Sequence, residues 1–162
     1  MFERYTPAAR LAVAEASRVA RRMHSQVVML EHLAWGTLRE CTAAAASDSL
    51  EPSAAPTLIA RILRVLFPGD TRYHPDIVVA FQVALSEAAA RGHDEVTSEH
   101  LLLAVLQQVA SKGGISFLPA AGRADFEALR QDVVNVLEAS TSEAKEAARV
   151  EMCARVRRLK VK

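Results

Sequence analysis

The residues best suited to chemistry are two Glu-His pairs, Glu31-His32 and Glu99-His100. Each pair opens an apolar run, "EHLAWGTL" in the first case and "EHLLLAVL" in the second. A carboxylate beside an imidazole could provide a general base or two zinc ligands. Neighbouring residues of a helix point about 100° apart, however, so the side chains of one pair do not converge on one atom. A structural role at a helix start is therefore favoured over catalysis.

Other catalytic or metal-binding patterns are absent from the sequence. His24, His74 and His93 form no HExxH motif, and no GxxxxGK[ST] phosphate-binding loop occurs. Cys41 and Cys153 lie far apart in sequence, which favours two reduced thiols. We predict no catalytic residue, no metal site and no cofactor. A small helical enzyme using the Glu-His pairs is the rival hypothesis, and it requires a cleft that both side chains of a pair share.

The elements that position these residues are predicted to be helices. Of the 162 residues 51% are hydrophobic and only 5% aromatic, and alanine is abundant, which favours an all-α fold. The formal net charge of +1 gives no general attraction to nucleic acid or to anionic membranes. The start, "MFERYTPAAR", lacks the apolar segment of a secretory signal, so we expect a cytoplasmic protein.

Helix boundaries follow from capping residues and breakers. Thr6 and Pro7 predict one helix start, Pro75 a second, and Thr97 or Ser98 a third. Helical spacing of apolar residues predicts further helices at 57–67 and 123–140, and the stretch "PGDTRYHP" separates two halves.

The two halves are copies of one another. An offset of 68 residues aligns Tyr5–Glu40 with Tyr73–Gln108 without a gap and with ten identities in 36 positions. Shared alanines follow from composition, but the Tyr-x-Pro start, the valine before the second helix and Glu-His-Leu do not. The repeat predicts two four-helix repeats related by a pseudo-twofold axis in one globule, with their first helices packed together.

Three stretches carry a resemblance to a known family: "MFERYTP", "EHL" and "RGHDEVTSEHLLLAVL". They resemble the Clp N-terminal domain, the all-α double-repeat module of Clp-type AAA+ unfoldases. The second half keeps the family motif from Gly92 to Leu106, whereas the first half has His24 and Ser25 in place of Gly-His. The resemblance covers about residues 1–140, with repeat 1 at about 1–68 and repeat 2 at about 69–140.

The resemblance implies a non-catalytic module that recruits adaptor and substrate proteins to a Clp-type unfoldase or protease. In some family members two pseudo-symmetric sites also bind phosphorylated arginine, each through the Glu of Glu-His-Leu and a Thr at a helix start. The matching residues are Glu31 with Thr6 in the first half and Glu99 with His74 in the second. Because only the first half keeps the Thr, we expect the Thr6–Glu31 pair to be the better site.

Two further surfaces are candidates for partner binding. Phe2 and Tyr73 are predicted to lie at the pseudo-twofold seam, where partly exposed aromatic rings would anchor a partner protein. Residues 141–162 form a basic tail, and from Arg149 onward it has six basic residues and one acidic. We interpret the tail as a helical or flexible linker. Two alternatives are a free-standing modulator of the Clp machine and a nucleic-acid-binding regulator that uses the tail.

Overall fold

The computed structural model describes residues 2–44, 72–111 and 123–160. These residues form six helices and two short strands: α1 (Pro7–Arg22), β1 (Val27–Val28), α2 (Leu30–Ala44), β2 (Arg72–Tyr73), α3 (Pro75–Ala90), α4 (Ser98–Ser111), α5 (Arg123–Glu138) and α6 (Ser142–Lys160). The predicted all-α class is confirmed. The helix predicted at 57–67 lies outside the described residues. Within the described ranges, no helix is long and apolar enough to cross a membrane.

Helices α1 and α3 begin in the same way. Thr6 is the N-cap of α1, and its hydroxyl accepts a hydrogen bond from the Ala9 amide at 3.3 Å. His74 is the N-cap of α3, where Nδ1 accepts from the Asp76 amide at 3.4 Å. A proline follows each cap, at a position where its missing N–H is not needed. The replacement of Thr by His therefore preserves the helix start while changing the group that it presents.

Each half lends its lead-in strand to the other half. Val28 pairs with Tyr73 in a parallel two-stranded ladder, and Tyr5 pairs with Val96 in a parallel bridge. The amide of His74 donates to the Val28 carbonyl at 2.9 Å, and the Thr6 amide donates to the Val96 carbonyl at 3.0 Å. Since the offset of 68 relates the two pairings, the repeated tyrosine and valine are explained by a reciprocal exchange.

The main helix contact between the halves is made by α2 against α4. The prediction that the two first helices pack together is therefore wrong for the principal contact. Within the first half, α1 and α2 approach closely at Gly36, where an added Cβ would lie 2.2 Å from the Ala12 carbonyl oxygen. The aligned position in α4 is Ala104, so the two copies do not pack identically.

A cluster of aromatic rings joins the lead-in strands to α3. Phe2, Tyr5 and Tyr73 each make an edge-to-face contact with Phe81, at ring-centroid distances of 5.3, 6.2 and 5.9 Å. Tyr5 is fully buried and its hydroxyl donates to the Phe81 carbonyl at 3.4 Å, and burial raises its pKa to about 12. Phe2 and Tyr73 are half-buried at the edge of this cluster.

Helix α6 packs against the core, so the prediction that residues 141–162 are a solvated linker is wrong for 142–160. Its buried residues are Met152, Cys153, Val156 and Leu159. The Cys153 thiol donates to the Cys41 carbonyl of α2 at 3.1 Å, and Arg155 pairs with the buried Asp132 of α5. Both cysteines are free and buried. Helix α6 is thus the fourth described helix of the second half, beyond the boundary expected at residue 140.

Two aligned positions have positive φ, and this generates a stability prediction. Gly92 has φ +70° after α3, and His24 has φ 54° after α1. A side chain in this conformation costs about 1–2 kcal/mol, so His24→Gly is expected to raise the free energy of unfolding by roughly 0.5–1 kcal/mol after the extra backbone entropy of glycine. Urea denaturation measures the change.

The matched control is Gly92→Ala. An added Cβ at Gly92 meets nothing within 4 Å, so any loss reflects the backbone alone. It is expected to destabilise by about 1 kcal/mol. Equal stabilities of His24→Gly and the wild type would contradict the interpretation.

Candidate functional site

The exchange of lead-in strands decides which predicted residues meet. The parallel pairing of Tyr5 with Val96 places Thr6 beside the start of α4, which carries Glu99. The pairing of Tyr73 with Val28 places His74 beside the start of α2, which carries Glu31. The expected pairing within one half is therefore corrected, because the helix starts meet across the halves. We name the two arrangements the Thr6/Glu99 half-site and the His74/Glu31 half-site.

In the Thr6/Glu99 half-site, the carboxylate already has a guanidinium partner. Arg149 of α6 donates to Glu99 Oε1 through Nε at 2.9 Å and through Nη2 at 2.7 Å. The Ser98 hydroxyl donates to the other oxygen, Oε2, at 3.3 Å. Burial raises the pKa of the Glu99 carboxyl, but Arg149 and hydrogen bonds from Thr97 and the backbone outweigh burial, so the pKa is lowered. Glu99 is therefore an ionised, 3% exposed group paired within the chain.

The His74/Glu31 half-site is more open. Glu31 lies in the first turn of α2 and is half-buried, whereas the equivalent Glu99 is buried. His74 is also half-buried, and its Nδ1 lies 3.1 Å from Asp76 Oδ2 as well as near the Asp76 amide. The half-site thus combines a carboxylate, an imidazole and the positive ends of α2 and α3.

The histidines of the Glu-His pairs cap their own helices. His32 Nδ1 accepts from the Met29 amide at 2.9 Å, and His100 Nδ1 accepts from the Thr97 amide at 3.1 Å. We expected a histidine that donates to a backbone carbonyl, so the direction of this hydrogen bond is corrected. The third helical residue returns a bond to the cap residue, as Glu or Gln does in a capping box.

His100 also bonds to a second histidine. Because its Nδ1 accepts from an amide, the neutral ring has its proton on Nε2, which donates to His93 Nδ1 at 3.0 Å. His100 is fully buried, and burial, aided by His93, lowers its pKa to about 4. Burial likewise lowers the pKa of His32. Both rings serve the helix start as neutral acceptors.

Comparison with known proteins identifies the architecture. The family model of the Clp repeat (R) N-terminal domain matches residues 4–114 and again residues 72–159. The chain belongs to this family. The second match includes α6, so the family pattern extends past the limit of about 140 expected from the sequence.

A solved structure is also similar. It is the N-terminal domain of the caseinolytic protease associated chaperone ClpD from Arabidopsis thaliana. This chain is 14% identical to it, and the alignment covers 93% of this chain and 98% of that chain with a TM-score of 0.47.

The Clp repeat N-terminal domain is a non-catalytic domain, and the geometry of the Glu-His pairs agrees with that. In the second pair, Glu99 is bound to Arg149 and His100 to Thr97 and His93. The enzyme hypothesis therefore fails for Glu99-His100, whose side chains have separate structural partners. Among the described residues, no group of three or more His, Cys, Asp or Glu side chains could hold a metal ion.

Sequence reasoning missed Arg149 and Phe81. Arg149 lies among the basic residues interpreted as a linker, and no local pattern links it to a carboxylate 50 residues earlier. Phe81 aligns with Val13 in the first half, so the repeat gives no signal for an aromatic centre. The Clp repeat domain places both only through tertiary packing.

The buried histidines of the Clp repeat domain predict a pH dependence. Unfolded histidine has a pKa of about 6.5, so the unfolded chain binds a proton that folded His100 refuses between about pH 6.5 and pH 4. Stability is therefore expected to be complete above about pH 6.5 and to fall as the pH drops towards 4. Denaturant titrations at several pH values measure this slope.

The test variant is His100→Gln, because a Gln amide oxygen can still accept from the Thr97 amide without titrating. Its stability is expected to fall less between pH 6.5 and 4.5 than that of the wild type. Exposed His24 serves as the control, since His24→Gln leaves the slope unchanged. Identical slopes for His100→Gln and the wild type would sink the assignment.

Proposed function

We propose that this chain recruits adaptor or substrate proteins to a Clp-type ATP-dependent unfoldase or protease in the cytoplasm. The observation that carries the proposal is the repeated match to the Clp repeat N-terminal domain, which together spans residues 4–159. Two supports come from the fold: side-by-side helix starts in two pseudo-symmetric places, and half-buried Phe2 and Tyr73 at the aromatic cluster. Such surfaces suit protein partners.

The finer proposal is that the His74/Glu31 half-site binds phosphorylated arginine on a partner. A carboxylate makes charge-assisted, bidentate hydrogen bonds to a guanidinium, and a helix N-terminus attracts a phosphate. Glu31 supplies the carboxylate and the start of α3 supplies the helix end, with His74 as an additional donor when protonated. This half-site replaces the Thr6–Glu31 pair that we expected from the sequence.

Two versions of the recruiting function remain distinct. In the first, the chain is part of a full unfoldase whose ATPase follows it. In the second, it is a free-standing modulator that delivers clients or competes for them. Reading the natural open reading frame beyond Lys162 separates the two versions.

The nucleic-acid alternative has less support. Of the six basic residues from Arg149 onward, Arg149 and Arg155 are engaged in ion pairs with Glu99 and Asp132. A nucleic-acid-binding chain is expected to lose affinity steeply as salt rises.

The test of the recruiting function is a pull-down from native cytosol with the full chain as bait. Recovery of a Clp-type unfoldase, its adaptors or its clients is the expected result. Recovery of none of these classes, with a folded bait and a positive control for the machine's presence, would overturn the proposal.

For the finer proposal, Glu31→Ala is expected to weaken binding of a phosphoarginine peptide at least tenfold while preserving the fold. The loss reflects the charge-assisted hydrogen bonds, worth about 1.5–3 kcal/mol. Titration calorimetry measures the affinity, and circular dichroism checks the fold.

Glu143→Ala is the matched control. Glu143 is an exposed acid in the first turn of α6, so both variants lose a similar helix-dipole interaction of about 0.3–1 kcal/mol. Only Glu31→Ala is expected to lose affinity. Equal affinities for both variants would remove Glu31 from the binding site.

A further inference from the structure

Helix α6 occupies the ligand position of one half-site. Glu99 and Glu31 are equivalent in the repeat, yet Glu99 is 3% exposed and Glu31 is half-buried. The Arg149 side chain is 29% exposed, so the Glu99–Arg149 pair lies at the protein surface. The guanidinium that contacts Glu99 is the chemical group that the finer proposal expects from a partner. The chain therefore holds an arginine of its own where the His74/Glu31 half-site would receive one from outside.

The part of α6 that carries Arg149 is weakly anchored. All four buried residues of the helix belong to its second half, from Met152 to Leu159. From Ser142 to Glu151 no residue is buried, and Ala148 is the one hydrophobic residue of this stretch that packs against the core. Arg149 itself is held by Glu99 and, more distantly, by Glu146 at 3.9 Å. The first half of α6 can therefore leave the surface while the second half stays in place.

We propose that α6 is an autoinhibitory latch, in which Arg149 competes with a phosphoarginine-bearing segment of a partner for the Glu99 carboxylate. The inference rests on the proposed function and concerns its regulation. The incoming guanidinium replaces the Nε and Nη2 contacts of Arg149 on Glu99 Oε1. Its phosphate meets the start of α1, which lies beside α4 at Thr6. A partner thus opens the Thr6/Glu99 half-site only when it outcompetes an intramolecular arginine.

The first experiment titrates free phosphoarginine into the full chain and its variants by calorimetry. Removal of the internal competitor in Arg149→Ala is expected to raise the affinity of the Thr6/Glu99 half-site at least tenfold and to increase the stoichiometry from one to two. The control is Arg155→Ala, which breaks the ion pair with Asp132 on the same helix and leaves Glu99 occupied. A folded Arg149→Ala with the isotherm of the wild type would overturn the latch.

A second measurement serves if Arg149→Ala fails to fold, because the variant leaves a buried carboxylate unpaired. Hydrogen exchange is followed on the wild type with and without millimolar phosphoarginine. Displacement of the latch is expected to speed exchange of the amides at 146–151 at least threefold while those at 153–159 stay unchanged. Unchanged exchange at 146–151 contradicts the latch.

The two proposals fail separately. If partners of the Clp machine are recovered but neither Arg149→Ala nor hydrogen exchange responds, the latch is wrong and the recruiting function stands. If no partner is recovered while Arg149→Ala gains a phosphoarginine site, the recruiting function is wrong and the latch stands.

Discussion

Two parallel backbone pairings are the constraint on which the rest of the molecule depends. Strands of two residues have no stability of their own, so each lead-in segment is ordered only by the link of the opposite half. The halves are therefore mutually dependent, and the contact of α2 with α4 and the aromatic cluster around Phe81 complete the joint. The same exchange places helix starts from different halves side by side. Both candidate half-sites are consequences of this arrangement.

The duplicated half-sites have diverged through burial. A carboxylate that loses contact with water needs a partner of opposite charge, and Arg149 supplies one to Glu99. Glu31 stays half-buried, and its neighbouring helix cap is an imidazole rather than a hydroxyl. One ancestral arrangement therefore yields a half-site satisfied within the chain and a half-site open to a partner. A symmetric duplication thus gives an asymmetric surface.

Features that depend on local chemistry were predictable. Thr6 and Pro7 mark the start of α1 because a hydroxyl cap and a proline act within one helical turn. The helix-start role of the Glu-His pairs was predictable for the same reason. The direction of the histidine hydrogen bond was not, because an imidazole can either donate or accept, and only the position of the Met29 and Thr97 amides decides which.

The sequence by itself determined the helical class, the duplication at an offset of 68 residues and the membership of a Clp-like family. These features follow from periodicity, capping and repetition, which are properties of nearby residues. Only the tertiary structure decided that helix starts meet across the halves and that α6 covers Glu99 with Arg149. An offset tells which positions are equivalent but not which copy's segments pair. A helix with four buried residues, all in one half, resembles a solvated tail until its neighbours are known.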